Sequence, residues 1–155
     1  MATSPHNSRL IRFLLVEDND DHAMLVERNL KRSTVANSVV RVADGVGALR
    51  YLRQEGEFSD SLRPDVVLLD LKLPRLDGHE VLTAIKNDPA LQDLPVVVLT
   101  TSATESDRSR AYSNHANSYL VKPLDFKLFQ QLVQDLSVYW GVWNESATVC
   151  GSERC

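Results

Sequence analysis

Three acids, one hydroxyl and one amine each stand at or just past the end of a short apolar run. Glu17 and Asp18 follow "LIRFLLV", Asp70 follows "DVVLL", Thr100 closes "PVVVLT", and Lys122 follows "SYLV". Carboxylates held close together repel and raise one another's pKa unless a cation neutralises them. A hard divalent ion does this. Mg²⁺ suits a site with few carboxylates because it keeps positions open for water and phosphate oxygens, and no EF-hand spacing points to a closed calcium cage. Beside such a metal, Asp70 is a nucleophile for a phosphoryl group and would become an aspartyl-phosphate. The metal and Lys122 would stabilise charge on the transferring oxygens, and Thr100 would donate a hydrogen bond to another of them. Loops after strands are polar in most proteins, so the cluster gains its meaning from the elements that place it.

Those elements are five strand-length runs rich in β-branched residues, over 10–16, 38–43, 65–69, 95–100 and 118–121. Between them lie apolar residues at three- and four-residue spacing: Ala23, Val26 and Leu30; Ala48, Leu49 and Leu52; Val81, Leu82 and Ile85; Leu128, Leu132, Val133 and Leu136. These read as amphipathic helices. The unbroken apolar character of 66–69 and 96–99 implies burial on both faces, hence a parallel sheet with helices on either side and right-handed crossovers. Strand and helix alternate, so the expected fold is an α/β doubly wound sandwich in which every strand points its C-terminal end at one edge. Ligands gather at that edge, where the strand order reverses. Asp44 before Gly45 and Asp77 before Gly78 are placed to cap helices, and Pro95 opens the fourth strand where its missing N–H does no harm. The stretch 55–64, "EGEFSDSLRP", reads as a surface loop, either an insertion or a partner contact.

With 155 residues, 43% of them hydrophobic, the chain fits one domain able to bury roughly 68–70% of the surface its unfolded form exposes. The expected domain is 10–144, with disordered segments at 1–9 and 145–155. A net charge of -4 argues against a general affinity for nucleic acid or anionic lipid, and Arg108 and Arg110 read as a solvated helix face. No apolar run approaches the roughly 20 residues of a membrane span, and the polar "MATSPHNSR" is no secretory signal; a cytoplasmic home is expected. Cys150 and Cys155 lie in a small-and-polar tail with no His or Cys cluster beside them, and read as two disordered thiols rather than as a disulfide or a metal site. His6 falls in the N-terminal segment, and His22, His79 and His115 read as surface residues.

The motifs "LLVEDN" with Glu17 and Asp18, "LLDLKLPRLDG" with Asp70, "VVLTTS" with Thr100, and "YLVKP" with Tyr119, Lys122 and Pro123 resemble the response-regulator receiver domains of two-component signalling. The resemblance runs from about Leu10 to Trp140. It implies a flavodoxin-like sheet in the order 2-1-3-4-5 with five helices, the order usual for receivers. It also implies Mg²⁺ held by Asp18, Asp70 and the backbone carbonyl of Lys72, with Glu17 ligating through water. Lys122 would pair with the phosphate, and its bond to Pro123 would be cis. A sensor histidine kinase would be the donor, and slow self-catalysed hydrolysis, tuned by Lys72 and Ser102, would remove the group. In the family's switch the Thr100 hydroxyl moves inward and Tyr119 turns into the vacated space. One departure stands at 101, where the family usually has Ala or Gly and this chain has Thr101.

Only fifteen residues follow Trp140, so the chain is expected to act by contact as a single-domain regulator. Its last helix buries a stripe through Phe129, Leu132, Val133 and Leu136 but also carries Tyr139, Trp140, Val142 and Trp143. These aromatics either fold back over the sheet edge or serve self-association, as a homodimer, or kinase docking. The loop before the third strand, the "VLTTS" segment and the aromatic last helix most resemble receivers that partner bacterial phytochrome kinases. Readings from other classes fit less well. A haloacid-dehalogenase-type phosphatase needs an acid two residues after its nucleophile, and Lys72 holds that place. A flavodoxin-like electron carrier needs a phosphate-binding loop after the first strand, where "VEDNDDH" would repel phosphate. A degenerate receiver, acting as a phosphorylation-independent interaction module, is the remaining alternative.

Overall fold

The computed structural model describes residues 10–144; the N-terminal segment with His6 and the tail with both cysteines lie outside the described residues. The chain alternates β1 (Ile11–Val16), α1 (Asp20–Lys31), β2 (Asn37–Val42), α2 (Gly45–Leu52), β3 (Val66–Leu69), α3 (Gly78–Asn87), β4 (Val96–Thr100), α4 (Glu105–Ser113), β5 (Ser118–Val121) and α5 (Phe126–Val138). All five strands are parallel in the order β2-β1-β3-β4-β5. The sheet and five helices therefore match the sequence expectation. The strand order reverses between β1 and β3, which puts the switch point between the ends of these two strands.

Successive side chains of a strand point to opposite faces, and the core divides accordingly. Leu14, Val16, Val67, Leu69, Val96 and Val98 pack on one face with Leu49 and Leu52 of α2 and Val81, Leu82 and Ile85 of α3. Phe13, Leu15, Val66, Leu68, Val97 and Leu99 pack on the other with Ala23, Val26 and Leu30 of α1 and Phe129, Val133 and Leu136 of α5. Central β3 and β4 are buried at every position, whereas the edge strands β2 and β5 are only partly so. Leu128, expected on the α5 stripe, is exposed, because α5 turns only its 129–133–136 side to the sheet.

Capping follows the sequence. Asp44 accepts from the Gly47 N–H at 2.6 Å, and Asp77 and Glu80 form a reciprocal capping box at the start of α3. The 55–64 segment is a loop containing one 3₁₀ turn, Gly56–Phe58, whose Phe58 ring meets Tyr51 edge-on at 5.3 Å between centroids. Beyond α5 the chain continues as a π-helical turn, Tyr139–Trp143. Trp140 and Val142 pack partly against the α1/α5 core, while Tyr139 and Trp143 stay exposed. The aromatic end thus divides: part folds back and part faces solvent.

Candidate functional site

Backbone hydrogen bonds carry the key residues one step past their strands. The Glu17 N–H donates to the Val42 carbonyl at 3.1 Å, Asp70 N–H to Val16 at 3.0 Å, and Lys122 N–H to Thr100 at 2.7 Å. Each side chain is therefore fixed at the sheet rim by a ladder that needs no side-chain help. Glu17, Asp70, Thr100 and Lys122 are all buried there, while Asp18 is exposed. Together with Asn19, Asp20, Asp21, His22, Lys72 and Thr101, the three acids line an open cleft of about 630 Å³.

The Lys122 ammonium sits between two carboxylates. It donates to Glu17 Oε1 and, at 3.2 Å, to Asp70 Oδ2, and His22 Nδ1 lies 3.0 Å from it. Glu17 Oε2 accepts from the Asn19 N–H at 3.2 Å and Asp70 Oδ1 from the Lys72 N–H at 3.3 Å. Burial pushes the Glu17 carboxyl up to about 7, only partly opposed by Lys122. Burial would also raise Asp70. There the Lys122 charge and hydrogen bonds from Glu17, Thr100 and the Lys72 backbone outweigh it and hold the carboxyl below its usual value. Asp70 is thus the ionised member of the pair, and Glu17 is the one that holds a proton near neutrality.

The donor set fits a hard divalent cation. One oxygen each of Glu17, Asp18 and Asp70 lies within 4.8 Å of the others, and a single ammonium among three acids leaves negative charge to be neutralised.

Further along the rim, the Ser102 N–H donates to Thr100 Oγ1 at 3.3 Å and the Tyr119 hydroxyl donates to the Ser102 carbonyl at 2.9 Å. The structure thus brings Glu17, Asp18, Asp70, Lys72, Thr100 and Lys122 to one place and sets Tyr119 one residue contact away. Three expectations are corrected. No peptide bond among the described residues is cis, so Lys122–Pro123 is trans, the form that a prolyl amide favours intrinsically by about 0.5–1 kcal/mol. His79 is buried, bonded through Nε2 to Asp107 Oδ1 at 3.0 Å, and His22 is half-buried against Lys122. His79 is thus no surface residue, and His22 is only partly one. Both stand on the inward faces of their helices, His79 three residues before Leu82 and His22 four before Val26, a spacing that was available in the sequence.

Residues 13–134 match the model of the response regulator receiver domain. The chain belongs to this family. The probable methanogenesis regulatory protein FilR2 of Methanothrix harundinacea is 50% identical over 133 residues, 86% of this chain and 85% of that protein. The response regulator Rcp1 of Synechocystis sp. is 44% identical over 127 residues, 82% of this chain and 86% of Rcp1. The crystal structure of its Mn²⁺-bound form superposes with a TM-score of 0.84 at 41% identity, covering 88% of this chain and 98% of that one. The phosphorylated cyanobacterial phytochrome response regulator RcpA superposes with a TM-score of 0.86 at 42% identity, covering 90% and 99%.

Proposed function

We propose that Asp70 accepts a phosphoryl group from the phosphohistidine of a sensor histidine kinase, and that the kinase is of the bacterial phytochrome class. One observation carries the first part: a buried ammonium, Lys122, lies 3.2 Å from an Asp70 carboxylate held ionised at the mouth of an acidic cleft. Asp70 attacks phosphorus, the P–N bond of the donor breaks, and the proton the imidazole needs comes from solvent. Lys122, already in contact with the Asp70 carboxylate, is positioned to follow the charge that develops on the transferring oxygens. The Thr100 hydroxyl, fully buried beside Asp70, is the second donor. Asp18, Asp70 and the Lys72 carbonyl would hold Mg²⁺ directly and Glu17 through water; when bound, the ion supplies charge neutralisation between carboxylates and phosphoryl oxygens. The phytochrome partner is supported by the names and extents of the matches to Rcp1 and RcpA.

Thr100 and Tyr119 form the switch in this reading. Signalling then proceeds through protein contacts, in the cytoplasm, with the exposed Tyr139 and Trp143 contributing to a homodimer. The intact set of acids, hydroxyl and amine disfavours a degenerate receiver. Incubation with acetyl phosphate followed by intact mass tests the chemistry. A phosphoryl adduct is expected only with Mg²⁺ and is lost in Asp70→Asn; an adduct persisting in that variant places the chemistry elsewhere. Size-exclusion with and without a phosphate analogue tests the dimer, which a monomer under both conditions removes.

A further inference from the structure

Asp107, in the first turn of α4, lies outside the acidic cleft, yet both of its carboxylate oxygens are engaged. Oδ2 accepts the Ser102 hydroxyl at 2.5 Å, and Oδ1 meets His79 Nε2 at 3.0 Å. One carboxylate therefore ties the start of α3 to the β4–α4 loop and to α4. The tie is strong on chemical grounds, because a hydroxyl donating to an ionised acid is a charge-assisted bond. Hydrogen bonds from Ser102 and then His79 hold the Asp107 carboxyl below its usual value. His79 is 5% exposed, and its other nitrogen, Nδ1, has no partner. A neutral ring with its proton on Nε2 leaves only a bare lone pair there, so the Asp107 bond is the polar contact that fixes the imidazole.

Ser102 is in turn held through its backbone and its side chain. Its N–H reaches Thr100 Oγ1, its carbonyl receives the Tyr119 hydroxyl, and its own hydroxyl is committed to Asp107. That hydroxyl oxygen also meets Thr104 Oγ1 at 3.3 Å and accepts from the Thr104 N–H at 3.5 Å. Both switch residues are thus bonded to the backbone of a residue whose side chain Asp107 grips. For Tyr119 to turn inward it must release the Ser102 carbonyl, and for the Thr100 hydroxyl to move toward Asp70 its oxygen must leave the Ser102 N–H. We propose that Asp107 is a positioning residue that, through Ser102, clamps the β4–α4 loop in the unphosphorylated arrangement and sets the gap a phosphoryl group must overcome.

This rests on the assignment of Asp70, Thr100 and Tyr119 in the preceding reading. A ligand that binds only the switched arrangement has its apparent affinity reduced by the fraction of molecules already in it. Loosening the clamp raises that fraction. Loss of one partly solvated, charge-assisted hydrogen bond corresponds to about three- to tenfold.

The test uses the full chain with saturating Mg²⁺ and titrates beryllofluoride, an acyl-phosphate analogue, by calorimetry. Asp107→Asn and Ser102→Ala are each expected to bind it about three- to tenfold more tightly. The double variant should gain less than the sum of the single changes, because both weaken the same Ser102–Asp107 bond, one by removing its charge and the other its donor. The Mg²⁺ affinity measured without beryllofluoride should be unaltered, which a general loosening of the fold would not leave so. Unchanged or weakened beryllofluoride binding in either folded variant, or additive gains in the double, overturns the clamp. Should Asp107→Asn fail to fold, Ser102→Ala alone decides. If the unmodified chain binds no beryllofluoride and forms no Asp70 adduct, the phosphoacceptor reading itself has failed and the clamp falls with it.

Discussion

Replacing Gly78 by alanine would strike Asp70, the proposed phosphoacceptor, from behind. Gly78 opens α3, its N–H donates to the Leu71 carbonyl at 2.8 Å, and its α-carbon faces the backbone that leaves β3. An added methyl would meet the Asp70 carbonyl oxygen, would lie 2.5 Å from the Leu71 α-carbon and would stand 3.0 Å from the Asp70 carbonyl carbon. Carbon atoms pack at about 3.5–4.0 Å, so either α3 or the Asp70–Leu71 backbone must shift by roughly 1 Å. Both neighbours are main chain, and neither can rotate away as a side chain would. Overpacking of this kind costs about 1–3 kcal/mol. At about 2–4 °C per kcal/mol for a chain of this size, the melting temperature should fall by about 2–12 °C. Because Asp70 is the residue displaced, phosphoryl uptake suffers too, and a misplacement of about 1 Å can cost up to about 100-fold in rate. Scanning calorimetry and the rate of adduct formation from acetyl phosphate give the two readouts. A variant that melts and phosphorylates like the unmodified chain would show that the strand end and α3 are not rigidly opposed.

Two further expectations concern the cleft. In the absence of metal the Glu17 carboxyl keeps its proton up to about 7 in the folded chain, against an ordinary value of 4.5. The folded chain therefore binds more protons between these values, and this group's contribution to stability falls as pH rises through them. Asp70, whose folded value is depressed, contributes stability that is present above its ordinary value of 3.8 and lost as pH falls through the folded one. Mg²⁺ favours the ionised acids, so the rise in melting temperature it produces should be larger at about pH 8 than at about pH 5; equal rises at both would refute the assignment of Glu17. Thr101 is exposed at the cleft mouth, and Thr101→Ala should admit water and shorten the life of the aspartyl-phosphate, by less than about tenfold. A decay rate that is unchanged or slower would contradict this.

What the sequence made legible follows from how each feature is encoded. The central strands are buried on both faces, so β3 and β4 are apolar at every position and announce themselves. Glu17, Asp70 and Lys122 sit one step beyond their strands and Thr100 closes its own, which makes their position a matter of counting. α4 is different. Ala111 is its only buried residue, so "ESDRSRAYS" carries no apolar stripe, and periodicity alone reveals four helices rather than five. Its place was implied by the family resemblance.

The side-chain network around the site was less legible for another reason. Lys122 reaches Asp70 across 52 residues and Glu17 across 105, and Asp107 reaches His79 across 28. Such pairings depend on which strand ends and helix starts the topology makes neighbours. A sequence shows the residue types but not the partners. The histidines illustrate the point: helical spacing already places His22 and His79 on inward faces, yet a histidine at a helix start is equally compatible with solvent. What decides between these is a charged group supplied from elsewhere, the Lys122 ammonium for His22 and the Asp107 carboxylate for His79. The acids at the sheet rim were therefore readable one by one, whereas the contacts that set their ionisation and hold the adjoining loop exist only once the sheet has brought distant segments together.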